Sequence, residues 1–260
     1  GAGSIWAGNS YFYRITPWHN DPVSDPMGDV IYIRDAESRD LWSATPAPVM
    51  SELPYSVRHG QGSSTFEHAR DGISTSLVMG IAPGHALKIS LLRVTNNDRA
   101  KRTLGITSYA EWTLGVLREH TQHQVRTSFD AEHSAILASN TYDPHFAAWV
   151  AFSAVTERVV AHTGDRREFL GRNGTMAAPA ALATDITLSG VTGAAFDPCA
   201  ALQFEIDLAP GETREFACLI AAAPSEAEAF RAIESYRDVD RPRAAVAQDT
   251  EAWARRLSVV

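Results

Sequence analysis

The chain has 260 residues, of which 31 are acidic and 23 basic, for a net charge of -8. That length can bury a substantial core in one large domain or two small ones, and the charge balance argues against a nucleic-acid partner, since no basic stripe is present to neutralise phosphates. Two cysteines, Cys199 and Cys218, are too few for a disulfide framework, lack metal-ligand spacing and read as small buried apolar residues.

Strands dominate the reading along the chain. Residues 29–35 (DVIYIRD) and 55–59 (YSVRH) are short and β-rich, separated by the proline-bearing stretch 45–54. From Ile73 the residues Ile73, Thr75, Leu77, Met79 and Ile81 fall on one face of a strand and Ser74, Ser76 and Val78 on the other. Ala82-Pro83-Gly84-His85 is a turn, after which Leu87, Ile89 and Leu91 resume the alternation, and Asn96-Asn97-Asp98 turns the chain again. Leu104, Ile106, Ser108, Ala110 and Trp112 line one face of a long strand. Further strands are predicted near 124–130, 134–139, 146–153, 156–162, 201–208 and 214–222. The same apolar-Ala-Pro-Gly-polar turn occurs at 81–85 and 208–212, where proline and glycine together specify type II geometry. Both suit hairpins of a meandering antiparallel fold.

Two segments break this pattern. Residues 171–193, rich in alanine, glycine and proline, read as a loop with one short helix near 177–183. Near the C-terminus Ser225 is an N-cap for a helix carrying Ala229, Phe230, Ile233 and Tyr236, and a second helix is predicted over 243–257. Many strands without βαβ alternation predict an antiparallel sandwich larger than an immunoglobulin domain. No run approaches the roughly 18 apolar residues of a membrane helix, and no signal peptide is visible. The chain opens Gly1-Ala2-Gly3 without methionine, as a segment of a longer protein would.

The segment from Gly164 to Thr175 (GDRREFLGRNGT) does not alternate. It concentrates arginines, carboxylates, an asparagine and a phenylalanine between glycines, the composition of a binding loop carried on a β scaffold. A surface turn leading into a short helix, solvated by Arg–Glu pairs, fits the same residues. Elsewhere, His120 and His123 have no third metal ligand in view and read as solvated. Trp42, Trp112, Trp149 and Trp253 could stack on sugars, though Trp112 and Trp149 sit on strand patterns and read as core; Trp6 and Trp18, ahead of the regular strands, are better placed for stacking. Asn173-Gly174-Thr175 matches a glycosylation acceptor and equally a turn.

Four pieces carry a family resemblance: Ile15-Thr16-Pro17-Trp18 with Asp21-Pro22; Tyr32-Ile33-Arg34-Asp35 followed by Leu41-Trp42-Ser43; Thr107-Ser108-Tyr109-Ala110-Glu111-Trp112; and the segment from Gly164 to Thr175 continuing into Ala178-Pro179-Ala180-Ala181-Leu182. In order and spacing the chain resembles, over nearly its whole length, the N-terminal β-sandwich domain of glycoside hydrolase family 94, formerly glycosyltransferase family 36. The cyclic β-1,2-glucan synthase branch is the most similar. Pro17 stands where that branch carries a basic residue, so no role is carried over to the region around it.

The resemblance implies a mainly β, galactose-mutarotase-like supersandwich over residues 1–223, then C-terminal linker helices over 224–260 that lead toward an (α/α)6 catalytic barrel. The family's general acid lies on that barrel, so no catalytic residue is expected here. The implied partners are a β-glucan oligosaccharide, the barrel itself and a second subunit in a homodimer. Inorganic phosphate is implied as co-substrate of a phosphorylase, with no cofactor and no metal. The implied setting is cytoplasmic, or within an inner-membrane protein but without insertion of this segment. Arg166, Arg167, Glu168, Arg172 and Asn173 become the expected sugar-facing residues, with Phe169 packing the loop down. Two other classes stay open: an aldose 1-epimerase, for which His59, His68 and His145 with Glu67 and Asp143 are available, and a freestanding carbohydrate-binding module.

Overall fold

The structure, a computed structural model, describes residues 12–17, 27–183 and 187–258. In chain order the strands are β1 (Asp29–Asp35), β2 (Leu41–Ser43), β3 (Tyr55–His59), β4 (Ser63–Arg70), β5 (Ile73–Ile81), β6 (Leu87–Asn96), β7 (Arg102–Glu111), β8 (Val125–Asp130), β9 (Ala135–Asn140), β10 (Val150–Val155), β11 (Ala161–Asp165), β12 (Pro198–Leu208) and β13 (Thr213–Ala223). The helices are α1 (Arg118–Thr121), α2 (Arg166–Leu170), α3 (Ala180–Ala183), α4 (Glu226–Ser235) and α5 (Asp240–Leu257).

The strands form two antiparallel sheets, a five-stranded one in the order β11-β12-β7-β1-β2 and an eight-stranded one in the order β3-β4-β5-β6-β13-β10-β9-β8. Alternation along each strand aims one set of side chains into the space between the sheets. There Ile33, Leu77, Met79, Leu92, Leu104, Ile106, Trp112, Phe204 and Phe216 make the main core. Lys88 is the exception to its apolar company. It is 1% exposed, and its ammonium meets Asp29 Oδ2 at 2.6 Å, joining a strand of each sheet. A charge is tolerated at that depth only because it is paired.

Strand β6 is buried on both sides. Leu92 and Val94 join the main core, whereas Leu87, Ile89 and Leu91 face outward under Ala229 and Ile233 of α4 and Ala245 and Val246 of α5. Ser225 caps α4 by accepting from the Glu228 amide at 3.3 Å.

Several expectations shift. Residues 156–160 are not a strand, because the chain there crosses from β10 in the larger sheet to β11 in the smaller; Thr156 instead exchanges hydrogen bonds with Ala217. Strand β10 begins only at Val150, since Phe146 and Trp149 sit in a turn and pack on Tyr13. The turn at 82–85 joins neighbouring strands as a hairpin, with His85 N bonded to Ala82 O at 3.2 Å. The matching turn at 209–212 has the same bond, at 3.0 Å, but links β12 to β13 in different sheets. Gly84 and Gly211 both take the positive φ the turn requires, +75° and +76°. The buried Asn96 amide donates to Ala100, Leu208 and Ala209 carbonyls and clamps the β6–β7 and β12–β13 crossovers together. Strands β2 and β4 and helix α1 were not legible in advance, and the second C-terminal helix begins three residues early, at Asp240.

Candidate functional site

The non-alternating segment of the sequence becomes an arch over the outer face of the five-stranded sheet. It leaves the end of β11, forms α2, turns through residues 171–179 and closes with α3. Asp165 starts α2 as its N-cap, its carboxylate accepting from the Arg167 amide at 3.0 Å. Gly174 is needed for a close approach rather than for a turn. A Cβ there would lie 1.6 Å from the Leu170 carbonyl oxygen, so any side chain would force the arch open.

Phe169 and Leu170 are the arch's anchors. Phe169 is fully buried and stacks on Tyr109 at 4.6 Å between ring centroids, with Tyr32 tilted beside it at 5.8 Å. The Tyr32 hydroxyl donates to the Met176 carbonyl at 2.8 Å, fastening the far limb. Burial, then the Glu111 charge, raises the Tyr32 pKa, and burial raises that of Tyr109, so both phenols stay protonated. Phe169 therefore packs and offers no ring to a ligand.

Arg166 and Glu168 are also turned inward. Arg166 Nε meets Glu111 Oε1 at 2.6 Å and its Nη1 lies 3.5 Å from Asp197. Arg118 completes a ring of alternating charges, pairing with Asp197 and lying 3.8 Å from the other Glu111 oxygen. The Tyr109 hydroxyl donates to Glu111 at 3.0 Å. Burial alone would lower the Arg166 pKa; the hydrogen bond and charge of Glu111, with Tyr109 and Asp197 behind it, outweigh burial and raise it. Glu168 accepts from the Thr163 hydroxyl and from both the amide (2.7 Å) and hydroxyl (3.1 Å) of Ser189. These two residues hold the arch to the sheet and to the strand-like stretch near 189. Their polar groups are engaged by protein.

Arg167, Arg172 and Asn173 are different. All three are exposed, Arg172 and Asn173 on the outer turn and Arg167 on α2, where its side chain is 64% exposed and its Nε lies 3.6 Å from Asp165. The arrangement is a rigid base of ions and stacked rings carrying a short, polar, hydrogen-bonding tip. Sequence reading missed Glu111, Arg118 and Asp197 as site residues, because the pairs Arg166–Glu111 and Arg118–Asp197 are 55 and 79 residues apart in the chain. A glutamate closing the apolar run of β7 was the available signal.

The other candidates are not brought together. Glu67 and His68 are successive on β4 and so face opposite ways. Glu67 pairs with Arg58 at 2.9 Å, while His68 is buried and stacks on Tyr55 at 3.9 Å. The His59 ring bonds to Ser64. His145 and Asp143 bond to each other, but the histidine side chain is 88% exposed, with no wall to hold a sugar. Trp42 and Trp112 are buried in the core, Trp149 is half-buried against Phe146, and Trp253 is partly exposed on α5. Trp6 and Trp18 lie outside the described residues. His120 and His123 are exposed, and among the described residues no group of three His, Cys, Asp or Glu is placed to hold a metal. Cys199 and Cys218 are buried free thiols whose pKa values burial pushes up, Cys218 to about 12. No helix among the described residues is long and apolar enough to cross a membrane.

Comparison with known proteins adds a family to this geometry. The sequence model of the glycosyl hydrolase 94 supersandwich domain matches residues 1–239. The chain is 31% identical over 240 residues to a cyclic β-(1,2)-glucan synthase, NdvB, of Rhizobium meliloti (strain 1021), covering 91% of this chain and 8% of that protein. It is 27% identical over 265 residues to an N,N'-diacetylchitobiose phosphorylase of Vibrio furnissii, covering 97% of this chain and 33% of the relative. Among solved structures, a bacterial glucoamylase complexed with acarbose superposes over 86% of this chain and 31% of its own, with a TM-score of 0.51 at 8% identity; that likeness shows the fold alone. The chain thus spans a third or less of the length of these curated relatives.

Proposed function

The chain belongs to the glycoside hydrolase 94 supersandwich family, and on that basis we propose that it is the non-catalytic accessory domain of a β-glucan phosphorylase or cyclic β-1,2-glucan synthase. In this reading residues 1–223 are the sandwich, and residues 224–260 lead toward an (α/α)6 barrel that carries the general acid. The arch contributes Arg167, Arg172 and Asn173 to the sugar subsites at the barrel's mouth. The supporting observation is the division of labour within the arch: Arg166, Glu168 and Phe169 are spent on holding it, which leaves an exposed polar tip on an anchored backbone. Preorganised donors of that kind bind without a large ordering cost.

Phosphorolysis suits a domain with no acid–base pair of its own. Inorganic phosphate, the co-substrate, brings its own negative charge to the anomeric carbon, so one carboxylic acid on the barrel is enough to protonate the departing oxygen. The domain's own work is to position the oligosaccharide. The same reading gives a cytoplasmic setting, in a homodimer or on the inner face of a membrane protein.

Steady-state kinetics of the whole protein test it. Arg167→Ala combined with Arg172→Ala is expected to raise KM for the oligosaccharide about tenfold, the loss of one or two charge-assisted hydrogen bonds, with the melting temperature unchanged because both side chains are exposed. An unchanged KM would remove the arch from the sugar site.

A further inference from the structure

Helix α5 approaches the larger sheet over a glycine. A Cβ on Gly80 would lie 3.4 Å from the Val246 methyl groups, so the helix seats closely at the end of β5. Register brings two turns to that end. Ser63, which opens β4, is opposite Gly80 near the close of β5, so the β3–β4 turn at 60–62 and the β5–β6 hairpin turn at 82–85 emerge side by side. Asp249, Thr250 and Trp253 follow Val246 along α5 at helical spacing. Thr250 Oγ1 lies 3.4 Å from Ser63 Oγ. The Trp253 indole stands over Gly62, where a Cβ would be 2.5 Å from its Cδ1 and 3.1 Å from its Nε1; Asp249 Oδ2 is 2.7 Å from the same point. Helix and turns enclose a cleft of about 810 Å³, within the range of roughly 300–1,000 Å³ of small-ligand sites. Gln61, Ser64 and His85 also line it. Trp253 is 39% exposed, and the Asp249 carboxylate has no ion-pair or hydrogen-bond partner among the described residues.

We propose that this cleft is a saccharide-binding site, separate from the arch, in which a short neutral glycan lies against Trp253. The ligand class follows from the side chains. An indole offers a broad apolar face, and a pyranose has a face of C–H bonds to set against it. The rim of the sugar carries hydroxyls that both donate and accept, which suits the acceptor-only Asp249 and the amide of Gln61 equally. An anion would be repelled by Asp249. A cation would meet a like charge, since the Arg256 guanidinium already lies over the Trp253 ring at 5.6 Å from its centroid. The close packing of indole and carboxylate against Gly62 orients both before a ligand arrives, which lowers the ordering cost of binding. The cleft lies where α5 runs past the two turns, beyond the apolar surface that Ala245 and Val246 cover, and it uses no residue of the arch.

Titration calorimetry of the chain with sophorose and with N,N'-diacetylchitobiose tests this directly. Saturable binding of about millimolar strength is expected for at least one of them. Trp253→Ala should weaken it about tenfold or more, with the melting temperature held because the side chain is exposed. Trp253→Phe, which keeps a ring, should recover most of the loss, and Asp249→Asn should weaken binding severalfold. Arg167→Ala with Arg172→Ala should leave this binding unchanged, so a failure here and a failure of the arch reading are told apart. The proposal is overturned if the wild-type chain shows no saturable binding of either sugar, or if Trp253→Ala binds as well as the wild type. It is equally overturned if binding is lost with the arch variant alone, or if choline displaces the sugar, which would mark a cation site.

Discussion

The outer face of the eight-stranded sheet is closed by two helices that lay Ala229, Ile233, Ala245 and Val246 over Leu87, Ile89 and Leu219. The outer face of the five-stranded sheet is closed by an arch whose apolar contact is narrow, centred on Phe169, Leu170 and Leu182, and which is otherwise held by ions and hydrogen bonds. Apolar contact between regular elements has no preferred small adjustment and seals a surface. A ring of charges fixes one geometry and leaves polar atoms and space at its margins, which is what a site needs. In the proposed reading, the two faces of one sandwich separate stability from recognition.

The sharpest way to break this contrast is to remove the arch's one large apolar anchor. Phe169→Ala deletes a fully buried ring stacked on Tyr109 and is expected to cost about 3–5 kcal/mol, read as a lower midpoint in urea unfolding. A loss below about 1 kcal/mol would mean that the arch is held by its ions alone. Next in size, Glu111→Gln strips the central acid from between Arg166 and Arg118. The cost should be about 1–3 kcal/mol, less than for a fully buried pair because Arg166 keeps some water and the Asp197 contact. The accompanying rise in amide exchange should be confined to residues 166–175; acceleration spread evenly over β7 and β12 would make the ring a general stabiliser instead.

The smallest effect belongs to a histidine latch on the helical face. The His133 ring bonds to Asp130 at 2.8 Å, lies 3.5 Å from Glu234 of α4 and packs against Phe230. Burial alone would lower the His133 pKa, but the hydrogen bonds to Asp130 and Glu234 outweigh it and raise it. Burial would raise the Asp130 pKa, and its bonds to the His133 backbone and ring outweigh that and lower it. A raised histidine stabilises below its unfolded pKa of about 6.5 and loses the contribution as pH rises through the folded value; a lowered aspartate stabilises above about 3.9 and loses it as pH falls. The latch is therefore worth most between about pH 4 and 6.5. Unfolding midpoints followed from pH 6 to pH 8 should decline slightly in the wild type and stay flat by comparison in His133→Asn. Parallel profiles would show that the latch contributes nothing.

How far the sequence revealed these two faces depended on whether a residue's partner was local. The alternation Ile73-Thr75-Leu77-Met79 placed β5 correctly, and Ser225 announced α4, because period and capping are properties of a few adjacent residues. Strand β4 was invisible, since of its residues only Phe66 is an apolar core group and His68 takes the next inward place. The turn at 209–212 read like the hairpin at 82–85 because four residues specify a bend and not the sheet that follows it. Residues 164–175 stood out by composition, yet which of their side chains face inward could not be read there. That is decided by Glu111, Asp197 and Ser189, residues brought beside the arch only by the packing of β7 and β12. Lys88 likewise has no local sign of its partner, because Asp29 meets it only across the core.

The central claim is that the tip of the arch touches saccharide while its base does not. Amide hydrogen exchange of the whole protein, with and without the oligosaccharide, measures this residue by residue. The account predicts that ligand slows exchange at Arg172, Asn173 and their neighbours through Thr175, and leaves the already bonded amides of α2 unchanged. Protection that falls elsewhere in the chain, with residues 171–175 exchanging as before, would contradict it.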